Sequence, residues 1–227
     1  MSFLLHLLFP QQCVVCGKVG SWLCTGCKNK LPRLRVQLCP VCNSQSIIGL
    51  THPGCQKTNA LSGFFSPFAY QGAVKKLLSA FKFEMVKELQ AVITGLLTEE
   101  VKKNVSLLFF WQKEKFILTP LPLHPYRERW RGFNQSLLVG KSLAKSLNLG
   151  YRSDFLKRID FAPPQVGLDK KERLKNIKNQ FRASLKVKNK NIVIFDDVWT
   201  TGATLKEAGR VLKSNGVKNV WGLTFCR

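Results

Sequence analysis

Residues 192–205, with the sequence IVIFDDVWTTGATL, form the most informative run of this chain. The run opens with four apolar residues, mostly β-branched or aromatic, which predict a strand buried on both faces in a parallel sheet covered by helices. Asp196 and Asp197 then stand at the carboxyl end of that strand, where open α/β sheets bind their ligands. The run therefore predicts an α/β domain with a ligand site at this strand end.

The residues that follow the acid pair have the character of an anion site. Thr200 to Thr204 supply hydroxyls, a permissive glycine and the first free N–H groups of a helix predicted to end near Asn215. Free amides and the helix dipole both favour phosphate there. Carboxylates beside phosphate must hold something else, either sugar hydroxyls or a divalent cation, so a ribose phosphate fits. The alternative is a strand that ends in acids before an ordinary capped helix.

The run lacks the Gly-Lys-Ser/Thr end of an ATPase loop. It resembles instead the phosphoribosyl pyrophosphate (PRPP) loop of type I phosphoribosyltransferases. By that resemblance, Asp196 and Asp197 take the ribose 2′ and 3′ hydroxyls and are the candidate catalytic residues, with Mg²⁺ bound alongside PRPP. Trp199 departs from the pattern, which expects a small apolar residue, and would either cover the sugar or fill the core. The 5′-phosphate would be enclosed by Thr200, Thr201, Gly202, Ala203 and Thr204.

Length and charge limit the classes of function. A chain of 227 residues accommodates one or two domains, and an apolar fraction of 45% excludes a wholly disordered protein. Lys and Arg number 36 against 13 Asp and Glu, which leaves a net charge of +23. Such a field attracts polyanions, nucleic acid first and an anionic membrane surface second. The plain alternative is that the charge serves solubility alone.

Seven of the eight cysteines lie within the first 55 residues, in pairs with the spacing of metal ligands. Zinc takes four ligands, so the pairs predict two structural zinc sites. Short intervening loops favour two successive ribbons over a cross-braced module that uses alternate pairs. His52 precedes Pro53-Gly54, and the alternative to a zinc-ligand role is that it is an exposed histidine in a turn. The eight predicted ligands are Cys13, Cys16, Cys24, Cys27, Cys39, Cys42, His52 and Cys55.

Zinc-bound thiols predict a cytoplasmic protein. The apolar residues 1–10 end at Pro10, too short to span a bilayer, and lack the marks of a signal peptide, so they predict a short docked helix. The ribbons are expected to occupy residues 1–60 and the α/β domain residues 61–227. Further strands are predicted at residues 64–70, 116–119, 151–156 and 217–225, and helices at 73–83, 84–101 and 136–147, the last capped by Asn134.

Two basic segments are candidate anion sites. Arg127, Arg129 and Arg131 precede a predicted helix, and each guanidinium can grip phosphate; a solvated cluster is the alternative. Trp130 and Phe133 add flat faces on which a base could stack. Residues 170–190 hold nine basic residues and one acid, which predicts either a nucleic-acid contact or a solvated face. The predicted nucleic-acid contacts are Arg127, Arg129, Trp130, Phe133, Lys170, Lys171, Arg173 and Lys175. Arg131 and Lys82 are predicted to contact PRPP, and the alternative for Lys82, between two phenylalanines, is a surface lysine whose stem packs on them.

Together, the cysteine pairs, the PLPLH run at 120–124, the RGFNQ run at 131–135 and the acid-pair loop resemble the ComF family of competence proteins. The resemblance implies a double zinc ribbon joined to a phosphoribosyltransferase-like domain. It also implies uptake of single-stranded DNA for transformation or nutrition, with helicase and recombination-mediator partners. Residues 157–181 would stand where the transferases carry a mobile loop. An active Mg²⁺-dependent phosphoribosyltransferase with an unknown acceptor is the second hypothesis, and a scaffold without ligand is the third.

Overall fold

A computed structural model describes residues 10–56, 61–83, 86–159 and 179–227. Its strands are β1 (Gly63–Phe65), β2 (Ile117–Pro120), β3 (Gly150–Tyr151), β4 (Leu156–Arg158), β5 (Phe181–Ala183), β6 (Asn191–Val198) and β7 (Asn219–Cys226). Its helices are α1 (Thr25–Asn29), α2 (Pro53–Gln56), α3 (Gly72–Phe83), α4 (Leu89–Lys103), α5 (Val105–Lys113), α6 (Pro125–Arg131), α7 (Gln135–Ser146) and α8 (Ala203–Ser214).

Five parallel strands form the central sheet in the order β1-β7-β6-β2-β3. Strand β6 is central, with β2 and β7 as its neighbours. Val193 and Phe195 point into the hydrophobic cluster that also contains α3, α4, α5 and α7, whereas Ile192 and Ile194 point into the cluster beneath α8. This period-two alternation between two buried faces confirms the predicted parallel sheet covered on both sides.

Three predicted elements differ from the structure. The strand predicted at 64–70 ends at Phe65, because Pro67 has no N–H for a ladder, and Phe68 makes only isolated bridges. The helix predicted from Glu84 begins at Leu89 in the described part of the chain. The strand predicted at 151–156 is two strands in different sheets, β3 in the central sheet and β4 paired with β5, separated by a bend.

The cysteine-rich part forms two hairpin modules, which we call the first ribbon (residues 10–30) and the second ribbon (residues 37–56). Each is closed by one antiparallel bridge, Gln12–Val19 in the first and Leu38–Gln45 in the second. The boundary predicted at residue 60 falls among residues 57–60, and the predicted helix at 1–10 falls almost wholly among residues 1–9; both segments lie outside the described ranges. Among the helices that the structure describes, none combines the length and apolar character needed to cross a bilayer.

Candidate ligand site and zinc centres

The acid pair lies at the carboxyl end of β6, as the sequence predicted, and it is held from two sides. The Ser136 hydroxyl donates to Asp196 Oδ1 over 3.0 Å, and the Asp197 N–H donates to the same oxygen over 2.9 Å. Ser136 belongs to the first turn of α7, which is capped by Asn134 through a bond from Leu137 N–H. The start of α7 therefore fixes the orientation of Asp196.

Burial, and after it the charge of Asp197, raise the pKa of Asp196 to about 7, whereas the Asp197 N–H, the Lys82 charge and the Ser136 bond act in the opposite direction. Two carboxylates side by side with little solvent resist being ionised together. Asp197 meets Lys82 from α3, whose Nζ lies 2.9 Å from Asp197 Oδ2, with both side chains mostly buried. The site therefore presents carboxylate oxygens, suited to hydroxyl donors or a cation, beside one lysine.

The acid pair leads into a turn that we call the phosphate loop (residues 199–204). Gly202 adopts a left-handed conformation with φ of +73°, and α8 begins at the next residue. The Ala203 N–H donates to Thr201 Oγ1 over 3.3 Å. Thr200 is exposed at the tip of the turn. A helix amino terminus with hydroxyl side chains beside it suits an anion.

Trp199 fills the space between the phosphate loop and the edge of the sheet. Its ring centroid lies 4.1 Å from that of Phe64 in β1, which is buried. On the other side, a Cβ placed on Gly202 would come within 2.1 Å of the Trp199 ring, so only glycine fits there. The Lys206 ammonium lies 5.5 Å from the ring centroid. Of the two alternatives that the sequence left for Trp199, the structure shows core packing.

The arginine segment is itself helical, since α6 includes Arg127, Arg129 and Arg131. Gly132, with φ of +70°, ends this helix and turns the chain into α7. Trp130 is 54% exposed, in keeping with a stacking role, but Phe133 is only 8% exposed and packs on Phe81 at 5.6 Å. A stacking role for Phe133 does not suit this position, because its ring belongs to the core.

Sequence reasoning missed Phe83, which is 55% exposed and lies 6.0 Å from the Trp130 ring. Three consecutive residues at the end of α3 thus reach three places: Phe81 the core, Lys82 the acid pair and Phe83 the exposed tryptophan. The sequence signal was the alternation in Phe-Lys-Phe, which from a helix projects side chains in different directions. Lys170, Lys171, Arg173 and Lys175 lie outside the described ranges.

The cysteine pairs form two clusters of four ligands, and the grouping is by successive pairs, as preferred from the loop lengths. Within each cluster the ligand atoms lie within 4.8 Å of one another, which fits tetrahedral zinc. His52 belongs to the second cluster, with Nδ1 3.3 Å from Cys42 Sγ. Its Nε2 lies 3.1 Å from the Gln45 carbonyl oxygen, the kind of second contact that orients zinc-ligating histidines. The clusters are Cys13, Cys16, Cys24 and Cys27, then Cys39, Cys42, His52 and Cys55.

Comparison with known proteins identifies the family. The DNA utilization protein YhgH of Salmonella typhimurium is 31% identical over 97% of this chain and 99% of that protein. The chain belongs to the ComF family. Competence protein F of Haemophilus influenzae is 27% identical to this ComF chain over 95% of its length and 97% of the relative's. Competence protein ComFC of Bacillus subtilis is 26% identical, covering 88% and 81% respectively.

Two family models match separate parts of the ComF chain. A phosphoribosyl transferase domain covers residues 134–227, which include the start of α7, the acid pair and the phosphate loop. A double zinc ribbon domain covers residues 4–58, which include all eight zinc-ligand candidates. A hypoxanthine phosphoribosyltransferase from Staphylococcus aureus aligns over 60% of this chain and 62% of its own, at 17% identity and a TM-score of 0.38.

Proposed function

We propose that this chain binds PRPP or a related ribose phosphate at the acid pair and phosphate loop, and single-stranded DNA on its basic surface, in the cytoplasmic handling of incoming DNA. The family of competence and DNA utilization proteins supplies the setting. The observation that supports ribose phosphate binding is that partly buried carboxylates lie beside a helix amino terminus at the carboxyl end of β6.

Each half of the site suits one half of the ligand. Ribose hydroxyls donate hydrogen bonds, and the ionised carboxylates of Asp196 and Asp197 can accept them. The phosphate oxygens can accept hydrogen bonds from the free N–H groups of the loop. Lys82 neutralises Asp197 in the free protein. When sugar hydroxyls reach Asp197, the Lys82 ammonium is released towards the phosphates, which reconciles its position with the predicted PRPP contact. PRPP would bring Mg²⁺ on its pyrophosphate, and Asp196 and Asp197 would be the residues to hold that cation or to balance its charge.

Calorimetric titration of the full chain with PRPP and Mg²⁺, and separately with ribose 5-phosphate, tests the ligand. We expect Asp197→Asn to weaken binding by about tenfold or more, since a hydrogen bond to a charged group contributes roughly 1.5–3 kcal/mol. Glu114→Gln is the matched control, because Glu114 lies at the opposite, amino-terminal edge of the sheet. Absence of binding by the wild-type chain, or equal affinities of the two variants, would contradict the proposal.

The raised pKa of Asp196 makes a pH dependence part of the test. The carboxyl ionises as pH rises through about 7, and only the ionised form accepts hydrogen bonds from two sugar hydroxyls, so affinity is expected to rise over this range. Ser136→Ala removes a donor that favours the ionised form and should move the rise to higher pH. Ser146→Ala, at an exposed site on the same helix, should leave the profile in place.

The exposed aromatic pair Phe83 and Trp130 supports the DNA part of the proposal. Both rings are solvent-accessible: Trp130 lies on α6, and Phe83 of α3 lies next to it. Arg129, exposed on the same helix as Trp130, adds positive charge. Base stacking on an aromatic ring contributes about 1–3 kcal/mol per base, and phosphate contacts make binding salt-dependent. We expect a labelled oligothymidine to bind with an affinity that falls steeply with salt, measured by fluorescence anisotropy.

Trp130→Ala should weaken oligothymidine binding by about fivefold or more, given the stacking range of roughly 1–3 kcal/mol. The control is Phe109→Ala, since Phe109 is equally accessible, at 61% exposure, but lies on α5. Equal losses in the two variants would argue against a stacking role for Trp130, and no binding at low salt would remove the DNA part altogether.

Transferase chemistry is the second candidate, favoured by the phosphoribosyl transferase match at residues 134–227. In that case the acid pair steadies positive charge on the ribose as pyrophosphate leaves C1. Pyrophosphate release from PRPP with an added base or amine acceptor is the direct assay, and Asp197→Asn should abolish it. If the chain binds PRPP but no acceptor causes the release of pyrophosphate, the site is a ligand sensor and not a transferase active site. Helicase and recombination-mediator partners remain predictions of the family resemblance.

A further inference from the structure

The second ribbon touches the central sheet through backbone atoms of the strand that carries Phe64. The Phe64 N–H donates to the Gly49 carbonyl over 2.8 Å, and Leu50 pairs with Gly63 in an antiparallel bridge. Gly49 has φ of +91°, and a Cβ there would lie 1.9 Å from the Phe64 carbonyl oxygen. The contact is therefore backbone against backbone, with no side chain between them that can yield.

Gln37 secures the other end of the same strand. Its Nε2 donates to the Ser66 carbonyl over 3.2 Å, and its Oε1 accepts from the Ser66 N–H over 3.1 Å. Ser66 is fully buried, so these bonds are shielded from water. The second ribbon thus holds the backbone of β1 on both sides of the Phe64 side chain.

From Phe64 the contact continues to the phosphate loop. Its ring meets that of Trp199 at 4.1 Å, and the Trp199 ring occupies the space beside Gly202 in the loop. Lys206 also contacts the Trp199 ring, with its ammonium 5.5 Å from the ring centroid. A continuous path of contacts therefore joins the second ribbon, at Gly49 and Gln37, to Phe64, Trp199 and Gly202 of the loop.

We propose that Phe64 and Trp199 are positioning residues that make ligand binding at the phosphate loop depend on the second zinc centre and not on the first. The inference rests on the proposed ribose phosphate site. Metal at the second centre holds the hairpin that carries Gly49, and through it the two rings that support Gly202. Without the metal the hairpin loosens, the rings can turn, and the N–H groups of the loop lose their common direction.

The test compares Cys42→Ser with Cys16→Ser. Both cysteines are exposed and occupy the same place in their clusters, so the pair is matched. Zinc content by mass spectrometry should fall by one ion in each variant. Affinity for ribose 5-phosphate should fall about tenfold in Cys42→Ser, as expected for the loss of one hydrogen bond to the phosphate, and less than about twofold in Cys16→Ser. Similar losses in both, or unchanged affinity in Cys42→Ser, would overturn the proposal.

A second pair of variants keeps both zinc sites intact. Phe64→Leu removes the ring that touches Trp199, and Phe155→Leu removes an equally buried ring from the same hydrophobic cluster outside the path. We expect normal zinc content in both and an affinity about three- to tenfold weaker in Phe64→Leu alone. Equal affinities of the two variants would overturn the proposal even if the zinc-ligand variants proved unstable.

A readout without ligand separates this inference from the proposed function. The Trp199 indole N–H resonance can be assigned by its loss in Trp199→Phe. It should move in Cys42→Ser and stay in place in Cys16→Ser. If the wild-type chain binds no ribose phosphate, the proposed function fails while the resonance still reports the coupling; if the resonance stays in place in Cys42→Ser, the coupling is wrong whatever the ligand.

Discussion

The two zinc ribbons have nearly the same ligand chemistry but are attached to the α/β domain in different ways. The first ribbon contacts the helices through side chains: Lys28 pairs with Glu99, Val14 and Trp22 pack on the core, and the Lys76 ammonium donates to Val15. The second ribbon contacts β1 through backbone hydrogen bonds and continues to the phosphate loop. Side-chain contacts can adjust to substitution, whereas a backbone contact at close range cannot.

Metal chemistry alone therefore does not tell what a ribbon does. A zinc centre orders its own hairpin, because few apolar residues are available to do so. Whether that order reaches a distant site depends on the contacts of the hairpin. The contacts of the first ribbon end at the helix surface, whereas those of the second reach β1, at the edge of the sheet beside the candidate ligand site. Three substitutions and one change of salt should affect the two ribbons differently.

The largest effect is expected from alanine at the glycine contact of the second ribbon. Gly49→Ala places a Cβ 1.9 Å from a backbone oxygen and also strains a positive φ, so it should destabilise the chain by roughly 3 kcal/mol. Gly17→Ala in the first ribbon is the matched control, since Gly17 has φ of +77° but open space around it, and should cost about 1 kcal/mol. Denaturant unfolding measures both; equal costs would deny the tight backbone contact.

Removing the buried amide contact should have the next largest effect. Gln37→Ala leaves the buried N–H and carbonyl of Ser66 without their partners and should cost about 1–3 kcal/mol. Gln12→Ala, at an exposed position in the first ribbon, should lie within roughly 0.5 kcal/mol of wild type. Hydrogen exchange of residues 61–66 should quicken only in Gln37→Ala. Unchanged exchange there would mean that the amide does not hold β1.

A smaller effect is expected at the ion pairs of the first ribbon. Bonds to Lys103 and Lys28 lower the pKa of Glu99 from 4.5 to about 2. A lowered pKa means that the ionised carboxylate stabilises the folded chain above pH 4.5, mainly through Lys103 of its own helix and then through Lys28 of the first ribbon. This stabilisation is lost as pH falls through about 2. Because both partners are more than a third exposed, Glu99→Gln should cost only about 0.3–1 kcal/mol at neutral pH.

Hydrogen exchange measured on the first ribbon, in Glu99→Gln and in Glu99→Gln with Lys28→Met, isolates that pair. If the second substitution adds nothing to the first, the Lys28–Glu99 contact is the one lost. If Lys28→Met alone changes nothing while Glu99→Gln quickens exchange, the effect belongs to Lys103 instead, which bonds to the same carboxylate.

Salt should have the smallest effect. At about 1 M salt the screening length falls to about 3 Å, which weakens exposed ion pairs but not buried backbone hydrogen bonds. Exchange in residues 13–28 should therefore quicken slightly, while exchange in residues 49–51 should not. If hydrogen exchange quickened to the same extent in both ribbons, the two would not differ in how they are attached to the α/β domain.

Much of the architecture follows from local patterns in the chain. The apolar run before Asp196 predicted a doubly buried strand, and β6 has that position; Asn134 was predicted to cap the helix that it does cap. These features depend on neighbouring residues, so a short window contains the necessary information. Strand ends were less predictable: Pro67 is a local stop that the prediction of a strand at 64–70 overlooked, whereas the bend at 153–155 separates two strands whose pairing partners lie far along the chain.

The candidate site divides in the same way. The sequence determined which residues end the central strand and which follow in the turn before α8, and it named all eight zinc-ligand candidates. Their grouping by successive pairs and the place of His52 among them were decided by the tertiary structure. Tertiary packing decided the exposure of Phe83 rather than Phe133, the ion pair between Lys82 and Asp197, and the placement of Trp199 between Phe64 and Gly202. Ligand spacing is local, whereas burial depends on which distant elements meet, as when α3 reaches Asp197 across more than a hundred residues of chain.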